Sequence, residues 1–147
     1  MYSNLLVPTD GSKLSDKAIA QALALAQALN AKITAFHASP DYPMPVYAEG
    51  VSIQMMSKRE YVKQAKAEAQ KILEKVAVKA AAAGVDCVTM NAIAASPWEG
   101  ILACAKKARC DAIVMASHGR SGLAGLLIGS ETTKVLTHSK LPVLVVR

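Results

Sequence analysis

The sequence predicts one α/β domain with a doubly wound, Rossmann-like architecture, in which five parallel strands form a sheet covered by helices on both faces. Two observations carry this prediction. Short apolar segments alternate with helical segments along all 147 residues, and such alternation implies right-handed crossovers between parallel strands. The strands are also nearly continuous apolar runs, which is typical of strands buried on both faces. The length suits a single domain over residues 1–147.

The first half of the chain is predicted to contain two strands and two helices. Residues 4–9 (NLLVPT) form the first strand, and a helix follows from Ser12 or Ser15, either of which suits the N-cap, to about Asn30. Residues 32–38 (KITAFHA) form the second strand. After an irregular segment, apolar residues at helical spacing predict a helix over 57–83, which Gly84 ends.

The second half continues the alternation, with a third strand over residues 85–93. The next segment, Ser96-Pro97-Trp98-Glu99, has Ser at the N-cap, Pro at the first helical position and Glu at the third. It therefore predicts a capping box at the start of a helix that ends near residue 109. Residues 112–116 (AIVMA) form the fourth strand. A glycine-rich loop then leads to a helix over 130–138, and residues 142–146 (PVLVV) form the fifth strand.

Composition excludes several classes of protein. Apolar residues make up 52% of the chain, so the chain can bury enough surface to fold. No apolar run reaches the roughly 20 residues that a transmembrane helix needs, and the first residues lack the basic region of a signal peptide. Cys87, Cys104 and Cys110 form no CxxC pair and are expected to be reduced core residues. We expect a cytoplasmic protein with no membrane partner.

The net charge of +6 raises the question of nucleic-acid binding. Much of the positive charge lies in residues 58–79, where basic residues are interleaved with Glu60, Glu68 and Glu74 at helical spacing. This pattern is typical of a solvated helix face. One Trp, one Phe and four Tyr do not supply the stacking aromatics of a nucleic-acid-binding surface, so we expect no nucleic-acid partner.

Two loops are predicted to form a ligand site. In a doubly wound sheet, ligands bind beyond the carboxyl ends of the strands, where the winding reverses. The first strand ends in the polar segment 8–12 (PTDGS), and the fourth strand leads into residues 117–130, which are rich in glycine. If the sheet reverses between these two strands, the two loops face each other across one crevice.

The glycines of the second loop predict a phosphate site. The backbone amides of Gly119 and Gly122 are candidates for close approach to a phosphate. Gly129 and Ser130 would add the free N–H groups and the positive dipole end of the last helix. The alternative is that these glycines serve positive φ angles and close packing of the helix on the sheet. The loop is neither a P-loop nor a dinucleotide fingerprint, because no Gly-Lys-Ser/Thr follows it and it does not follow the first strand.

Both ends of the chain resemble the universal stress protein A family. The resemblance rests on LLVPTDGS at residues 5–12 and on MASHGRSGLAGLLIGSETTKVLTHSKLPVLVV at residues 115–146, and it covers the full domain. The ATP-binding branch of this family has the pattern Gly-x2-Gly-x9-Gly-Ser/Thr. Gly119 and Gly129-Ser130 match its second part, whereas Ala116 replaces the first glycine and adds one methyl group near the ligand position.

The resemblance implies that the chain binds ATP or a related adenine nucleotide, with Mg²⁺ as a candidate companion of the phosphates. It places Pro8, Thr9 and Asp10 along the adenosine, with Asp10 near the ribose or a phosphate-bound metal, and it places Ala38 and Met115 in the adenine slot. The remaining candidates lie in the second loop and at the start of the last helix: Ser117, His118, Gly119, Arg120, Gly122, Gly129, Ser130, Glu131 and Thr132.

Simpler roles are open for several of these residues. Asp10 could cap the first helix, Met115 could be an ordinary core residue, Thr132 could cap its own helix, and His118 could only structure its loop. Glu131 stabilises the start of a helix but repels a triphosphate. We therefore expect either that a bound triphosphate requires Mg²⁺ or that the site prefers a less charged adenine nucleotide.

Two further segments suggest a lid and a dimer interface. Residues 38–56 form a long irregular segment with three prolines, which is either a lid over the adenine slot or a surface crossing. The last strand is strongly apolar between Leu141 and Val146. At a sheet edge it would be open to pairing with a second copy, and the resemblance also implies a homodimer through this strand.

The leading functional hypothesis is a stress-response or signalling protein that acts as a homodimeric, nucleotide-dependent switch without efficient turnover. The second hypothesis is a slow ATPase or autokinase, although no catalytic lysine or base is evident and Arg120 is the only candidate arginine finger. The third is an interaction module of the same family that has lost nucleotide binding, as Ala116 and Glu131 would allow. No catalytic residue and no metal ligand of the protein is predicted.

Overall fold

The computed structural model describes residues 1–43, 56–120 and 128–147. These residues form nine elements in the predicted alternating order. The strands are β1 (Asn4–Pro8), β2 (Lys32–Ser39), β3 (Cys87–Ile93), β4 (Ala112–Ala116) and β5 (Val143–Val146), and the helices are α1 (Lys13–Leu29), α2 (Lys58–Ala82), α3 (Pro97–Lys107) and α4 (Ser130–His138). Their bounds lie within two residues of the predicted ones.

The five strands form one parallel sheet in the order β3-β2-β1-β4-β5. The chain therefore winds outward from β1 to β3 and then returns past β1 to form β4 and β5. Helices α1 and α2 pack on one face of the sheet, and α3 and α4 pack on the other. This arrangement confirms the doubly wound fold, and it places the reversal of winding between β1 and β4.

Alternation along the central strands supplies both cores. Leu5 and Val7 of β1 pack under α1 and α2, whereas Leu6 between them packs under α3 and α4. All three side chains have 0% exposure, because successive residues of a strand point to opposite faces. The central strand is consequently buried on both sides and is a rigid base for the loop that follows it.

Burial on both faces was the wrong prediction for the two edge strands. Val88 of β3 is 47% exposed and Leu144 of β5 is 49% exposed. An edge strand has a neighbour on one side only, and the helices cover mainly the three central strands, so the apolar character of these two strands does not lead to full burial.

The helix starts confirm one predicted cap and correct another. Ser12, not Ser15, is the N-cap of α1 and accepts a hydrogen bond from the backbone N–H of Ser15. Ser96 is the N-cap residue of α3, but its side chain makes no capping hydrogen bond, so the predicted capping box is absent there. The capping box occurs instead at the start of α2, between Ser57 and Glu60.

The basic segment, residues 58–79, lies on α2, and its lysines and arginine are exposed to solvent.

The cysteines differ in their burial. Cys104 and Cys110 are buried, whereas Cys87 is only half-buried, and all three are free thiols. Among the described residues, no helix has the length and hydropathy that crossing a membrane requires.

A candidate ligand cleft where the winding reverses

A cleft of about 870 Å³ opens at the carboxyl ends of β1, β2 and β4. It lies between the two predicted loops, which meet because β1 is the direct neighbour of β4. Most of the residues predicted from the sequence line it: Pro8, Thr9, Asp10, Ala38, Met115, His118, Gly119, Arg120, Gly129, Ser130, Glu131 and Thr132.

Two of the predicted residues are not in this lining. Ser117 is 1% exposed, and its hydroxyl is hydrogen-bonded to Nδ1 of His118 at 3.0 Å, so it lies behind the cleft surface. Gly122 lies in residues 121–127, outside the described residues. The central part of the suggested lid, residues 44–55, also lies outside them.

The cleft has an apolar wall on the α3 side of the sheet. Phe36, Ile101 and Met115 belong to the core between the sheet and α3, and Ala38 packs against this core. All four also line the cleft. Met115 is therefore a core residue, 6% exposed, that also forms part of the cleft wall.

The opposite wall is polar and is fixed by hydrogen bonds at the end of β1. Nδ1 of His37 donates to the carbonyl oxygen of Thr9 at 2.8 Å, because a carbonyl can only accept. The hydroxyl of Thr9 is paired with that of Ser15 at 3.0 Å. His37, Thr9 and Ser15 are all buried. The backbone just after β1 is therefore held by three side chains, those of Thr9 itself, of Ser15 in α1 and of His37 in β2.

Asp10 joins the two loops. Its Oδ1 accepts the backbone N–H of Ser12 at 2.9 Å, and its Oδ2 accepts the backbone N–H of Arg120 at 2.7 Å. Burial acts to raise the pKa of this carboxyl, but the hydrogen bonds from Ser12 and Arg120 outweigh it and hold the pKa below its ordinary value. Asp10 is not the cap of α1, since Ser12 has that role.

Close contacts explain two of the glycines, one between the two loops and one within the second loop. A Cβ atom on Gly119 would lie 2.5 Å from Oδ2 of Asp10, and one on Gly129 would lie 2.9 Å from Cβ of His118. Neither glycine has a positive φ. The positive-φ alternative therefore accounts for neither glycine, and the contact of Gly119 is with the first loop rather than between the helix and the sheet. The same absence of side chains leaves the backbone of Gly119 and Gly129 open to the cleft, which both residues line.

Helix α4 begins at the cleft with Gly129 as its N-cap and without a side-chain cap. The hydroxyl of Thr132 donates to the carbonyl oxygen of Ala116 at 3.0 Å, so it ties α4 to the end of β4 and does not cap its own helix. Ala116 is 8% exposed, and its methyl group is mostly packed inside the protein. The first turn of α4 thus retains N–H groups that have no partner within the helix.

Charges around the cleft are unevenly distributed. Asp10, Glu68 and Glu131 line it with three carboxylates, and Arg120 is the only Lys or Arg side chain among the described lining residues.

Oε2 of Glu131 accepts the backbone N–H of Trp98 at 2.9 Å, and Oε1 contacts Nζ of Lys134 at 3.3 Å. Glu131 therefore caps the start of α3 from a neighbouring helix, in the place of the predicted cap by Ser96.

Sequence reasoning missed the contribution of α2 to the site. Tyr61, Gln64, Ala65 and Glu68 all line the cleft, and the hydroxyl of Tyr61 donates to the carbonyl oxygen of Pro40 at 2.7 Å, which fixes α2 to the end of β2. Tyr61 and Ala65 belong to the apolar residues at helical spacing that predicted α2, but no sequence signal indicated which loop this face of the helix would meet.

Among the described residues, no group of three or more His, Cys, Asp and Glu side chains could hold a metal ion.

The fold and the cleft together define a doubly wound α/β protein with a candidate ligand cleft at the reversal of its sheet. The family model of the universal stress protein family matches residues 1–147. The chain belongs to this family, which confirms the resemblance seen in its two ends.

Individual relatives agree with this assignment. The chain is 34% identical to a universal stress protein of Methanocaldococcus jannaschii, over all of this chain and 83% of the relative. It is also 34% identical to a universal stress protein of Bacillus subtilis, over the full length of both. A universal stress protein solved in complex with cAMP is 30% identical, with a TM-score of 0.71 over 99% of this chain and 97% of the other.

Proposed function

We propose that this chain binds ATP or a related adenine nucleotide in the cleft at the carboxyl ends of β1 and β4. The proposal rests on the presence of two different surfaces in one cleft. One is an apolar wall that includes Ala38 and Met115, and the other is the start of α4 at Gly129 and Ser130, which has no side-chain cap. A flat apolar base fits the first surface, and an anionic phosphate fits the second. The related protein solved with cAMP supports the same class of ligand.

The residues predicted as ligand contacts are assigned to the parts of the nucleotide as follows. The base lies against Ala38 and Met115, the ribose near Pro8, Thr9 and Asp10, and the phosphate near the start of α4. The phosphate contacts are proposed to come from the backbone and side chains of His118, Gly119, Arg120, Gly122, Gly129, Ser130, Glu131 and Thr132, with Ser117 supporting His118 from behind.

The charge of the cleft bears on which nucleotide is preferred. The described lining carries three carboxylates against one guanidinium, and in a site partly shielded from water such charges act strongly on a ligand. We expect AMP or another ligand of low charge to bind more tightly than metal-free ATP, and Mg²⁺ to strengthen ATP binding. Metal-free ATP that binds at least as tightly as AMP would contradict this expectation.

The proposal extends to a cytoplasmic, homodimeric switch in a stress response. Strand β5 forms one edge of the sheet, and its exposed Leu144 gives this edge an apolar surface that pairing with a second copy would cover. Light scattering at micromolar protein concentration is expected to give the mass of two chains of 15.4 kDa each. A monomer mass would contradict the dimer.

One experiment tests nucleotide binding and turnover together. The purified protein is denatured, any released nucleotide is identified by mass spectrometry, and fresh protein is incubated with ATP and Mg²⁺ while ADP is quantified. A released adenine nucleotide with less than one turnover is the expected result. Repeated turnover would favour the slow ATPase, and neither a released nucleotide nor measurable binding would favour the interaction module.

Two variants, one at each end of the sheet, test whether the nucleotide binds in the cleft. Gly119→Ala introduces a methyl group 2.5 Å from Oδ2 of Asp10, so we expect it to separate the two loops and to abolish nucleotide retention. Asp111→Ala removes a carboxylate at the opposite end of the sheet, where Asp111 contacts Ser3 and Asn4, and it is expected to retain the nucleotide. Equal retention by both variants would show that the nucleotide binds elsewhere.

A further inference from the structure

Arg120 lines the cleft and pairs with a carboxylate of the protein. Its Nη1 lies 3.8 Å from Oε1 of Glu68 on α2, and both residues line the cleft. The two side chains are 58% and 61% exposed, so the pair is open to solvent and weak. The guanidinium is therefore held beside α2 by a contact that a phosphate could displace.

The path of the Arg120 side chain explains why it reaches α2. Nη2 of Arg120 lies 3.0 Å from the position that a Cβ on Gly11 would take. The side chain thus crosses the space that Gly11 leaves open and also lines a small pocket of about 90 Å³ with Asp16 and Lys75. The backbone N–H of Arg120 is fixed on Asp10. The backbone is anchored in the cleft while the guanidinium is drawn toward α2.

We propose that Glu68 competes with the ligand's phosphate for the Arg120 guanidinium and so sets how strongly the site favours ligands of low charge. This inference rests on the proposed nucleotide function. An arginine forms paired hydrogen bonds with a phosphate as well as with a carboxylate. A phosphate that recruits Arg120 must first replace Glu68, and Glu68 then remains as an uncompensated negative charge that lines the same cleft.

The proposal makes Glu68 a specificity residue rather than a ligand contact. Its removal should leave binding of uncharged adenosine unchanged and should strengthen binding of phosphorylated ligands. The gain should increase with the number of phosphate charges from AMP to ATP, because both the competition and the residual repulsion scale with ligand charge.

Calorimetric titration of adenosine, AMP, ADP and ATP into Glu68→Gln tests this at low salt. The expected result is a gain in affinity of about two- to fivefold for the nucleotides and none for adenosine, in line with the strength of exposed ion pairs. Glu74→Gln is the matched control, because it removes the same charge from an exposed position of the same helix that does not line the cleft. Equal gains in both variants would show that the effect comes from the net charge of the protein and not from the position of Glu68, and would overturn the proposal.

The route through Arg120 is tested in the Arg120→Gln background. Glu68→Gln should give a smaller gain there, since the guanidinium for which Glu68 competes is gone and only the repulsion between Glu68 and the ligand remains. A gain of the same size in this background would show that Glu68 acts by direct repulsion alone and would overturn the competition. Binding that is independent of Glu68 overturns this inference alone, whereas the absence of binding by every variant overturns the proposed function together with it.

Discussion

Two aspartates connect β1 to the neighbouring region of β4, one at each end of the sheet. At the amino end, Asp111 accepts the backbone N–H of Ser3 at 2.7 Å and that of Asn4 at 3.2 Å. At the carboxyl end, Asp10 accepts the backbone N–H groups of Ser12 and Arg120. In both cases hydrogen bonds lower the pKa of the carboxyl against the effect of burial. The two ends use the same interaction.

The two ends differ in what surrounds the carboxylate. At the amino end Asn4 is enclosed by protein partners, since its amide donates to the carbonyl oxygen of Ala108 and its side-chain oxygen accepts from the hydroxyl of Thr34. At the carboxyl end the cleft opens beside Asp10. Parallel strands lead there into helix N-termini, whose N–H groups and positive dipole ends attract anions. The same carboxylate contact joins protein segments at one end and lies beside the open cleft at the other.

Replacement of Asp10 should give the largest effect. Asp10→Ala removes the hydrogen bond to Arg120 that links the two loops and the one to Ser12 within the first loop, so we expect a loss of about 2–3 kcal/mol in the free energy of unfolding and a loss of AMP binding. Urea denaturation and calorimetric titration measure the two effects. Asp16→Ala, which removes only the exposed ion pair with Lys79, is the control and should cost less than about 1 kcal/mol. Unchanged AMP affinity in Asp10→Ala would show that AMP binding does not depend on the hydrogen bonds that Asp10 makes in the two loops.

Replacement of Asp111 should affect stability alone. Asp111→Ala removes the contacts with Ser3 and Asn4 at a partly exposed position, so we expect a loss of about 1 kcal/mol in the free energy of unfolding. The affinity for AMP should stay within about twofold of the original, because the two ends share no contacts. The same two measurements apply, and a large change in affinity would show that the ends of the sheet are coupled.

The cap of α3 at the carboxyl end gives a similar but more local test. Glu131→Ala removes the acceptor of the Trp98 N–H and should cost about 1 kcal/mol of unfolding free energy. Ser96→Ala should change stability by no more than about 0.5 kcal/mol, because the Ser96 side chain makes no capping bond. Thermal or urea denaturation of the pair decides between the two caps. A larger effect of Ser96→Ala would restore the cap predicted from sequence.

The smallest expected effect is the pH dependence that Asp10 contributes. Its pKa in the folded chain lies below the ordinary value of 3.8. Its stabilising contribution is therefore complete at pH values above that ordinary value, and it is lost as the pH falls through the lower, folded pKa. Urea denaturation from neutral pH down to about pH 3 should show a smaller acid-induced loss of stability for Asp10→Asn than for the original chain. Parallel curves would show that Asp10 does not contribute to acid sensitivity.

Local patterns in the sequence predicted the elements well because their causes are local. Ser12, one of the two predicted N-caps, begins α1, and Asn30 ends it as expected, because a cap and a left-handed C-cap residue act within one turn of the helix. The start of α3 was different. Ser96, Pro97 and Glu99 formed a plausible local capping signal, but the carboxylate of Glu131, distant in sequence, is the acceptor that the helix uses.

The candidate site also has features that local sequence predicted and contacts that it did not predict. The loops that contain Asp10 and Gly119 were identified from polar and glycine residues at strand ends, since parallel strands present their carboxyl ends at one edge. The contribution of Glu68 was not identified, because periodicity shows which face of a helix is buried but not which distant segment it meets. The exposure of Val88 was missed for a related reason, since edge position depends on strand order.

The sequence by itself determined the order and type of the elements, the two loops of the site and the family resemblance. These features depend on periodicity, capping and short motifs, which act over a few residues. Only the tertiary structure decided that Asp10 ties the two loops together, that Glu131 caps α3 and that Glu68 pairs with Arg120. Each of these contacts joins side chains and backbone groups from separate elements, and its energy depends on distances that the packing of helices on the twisted sheet sets.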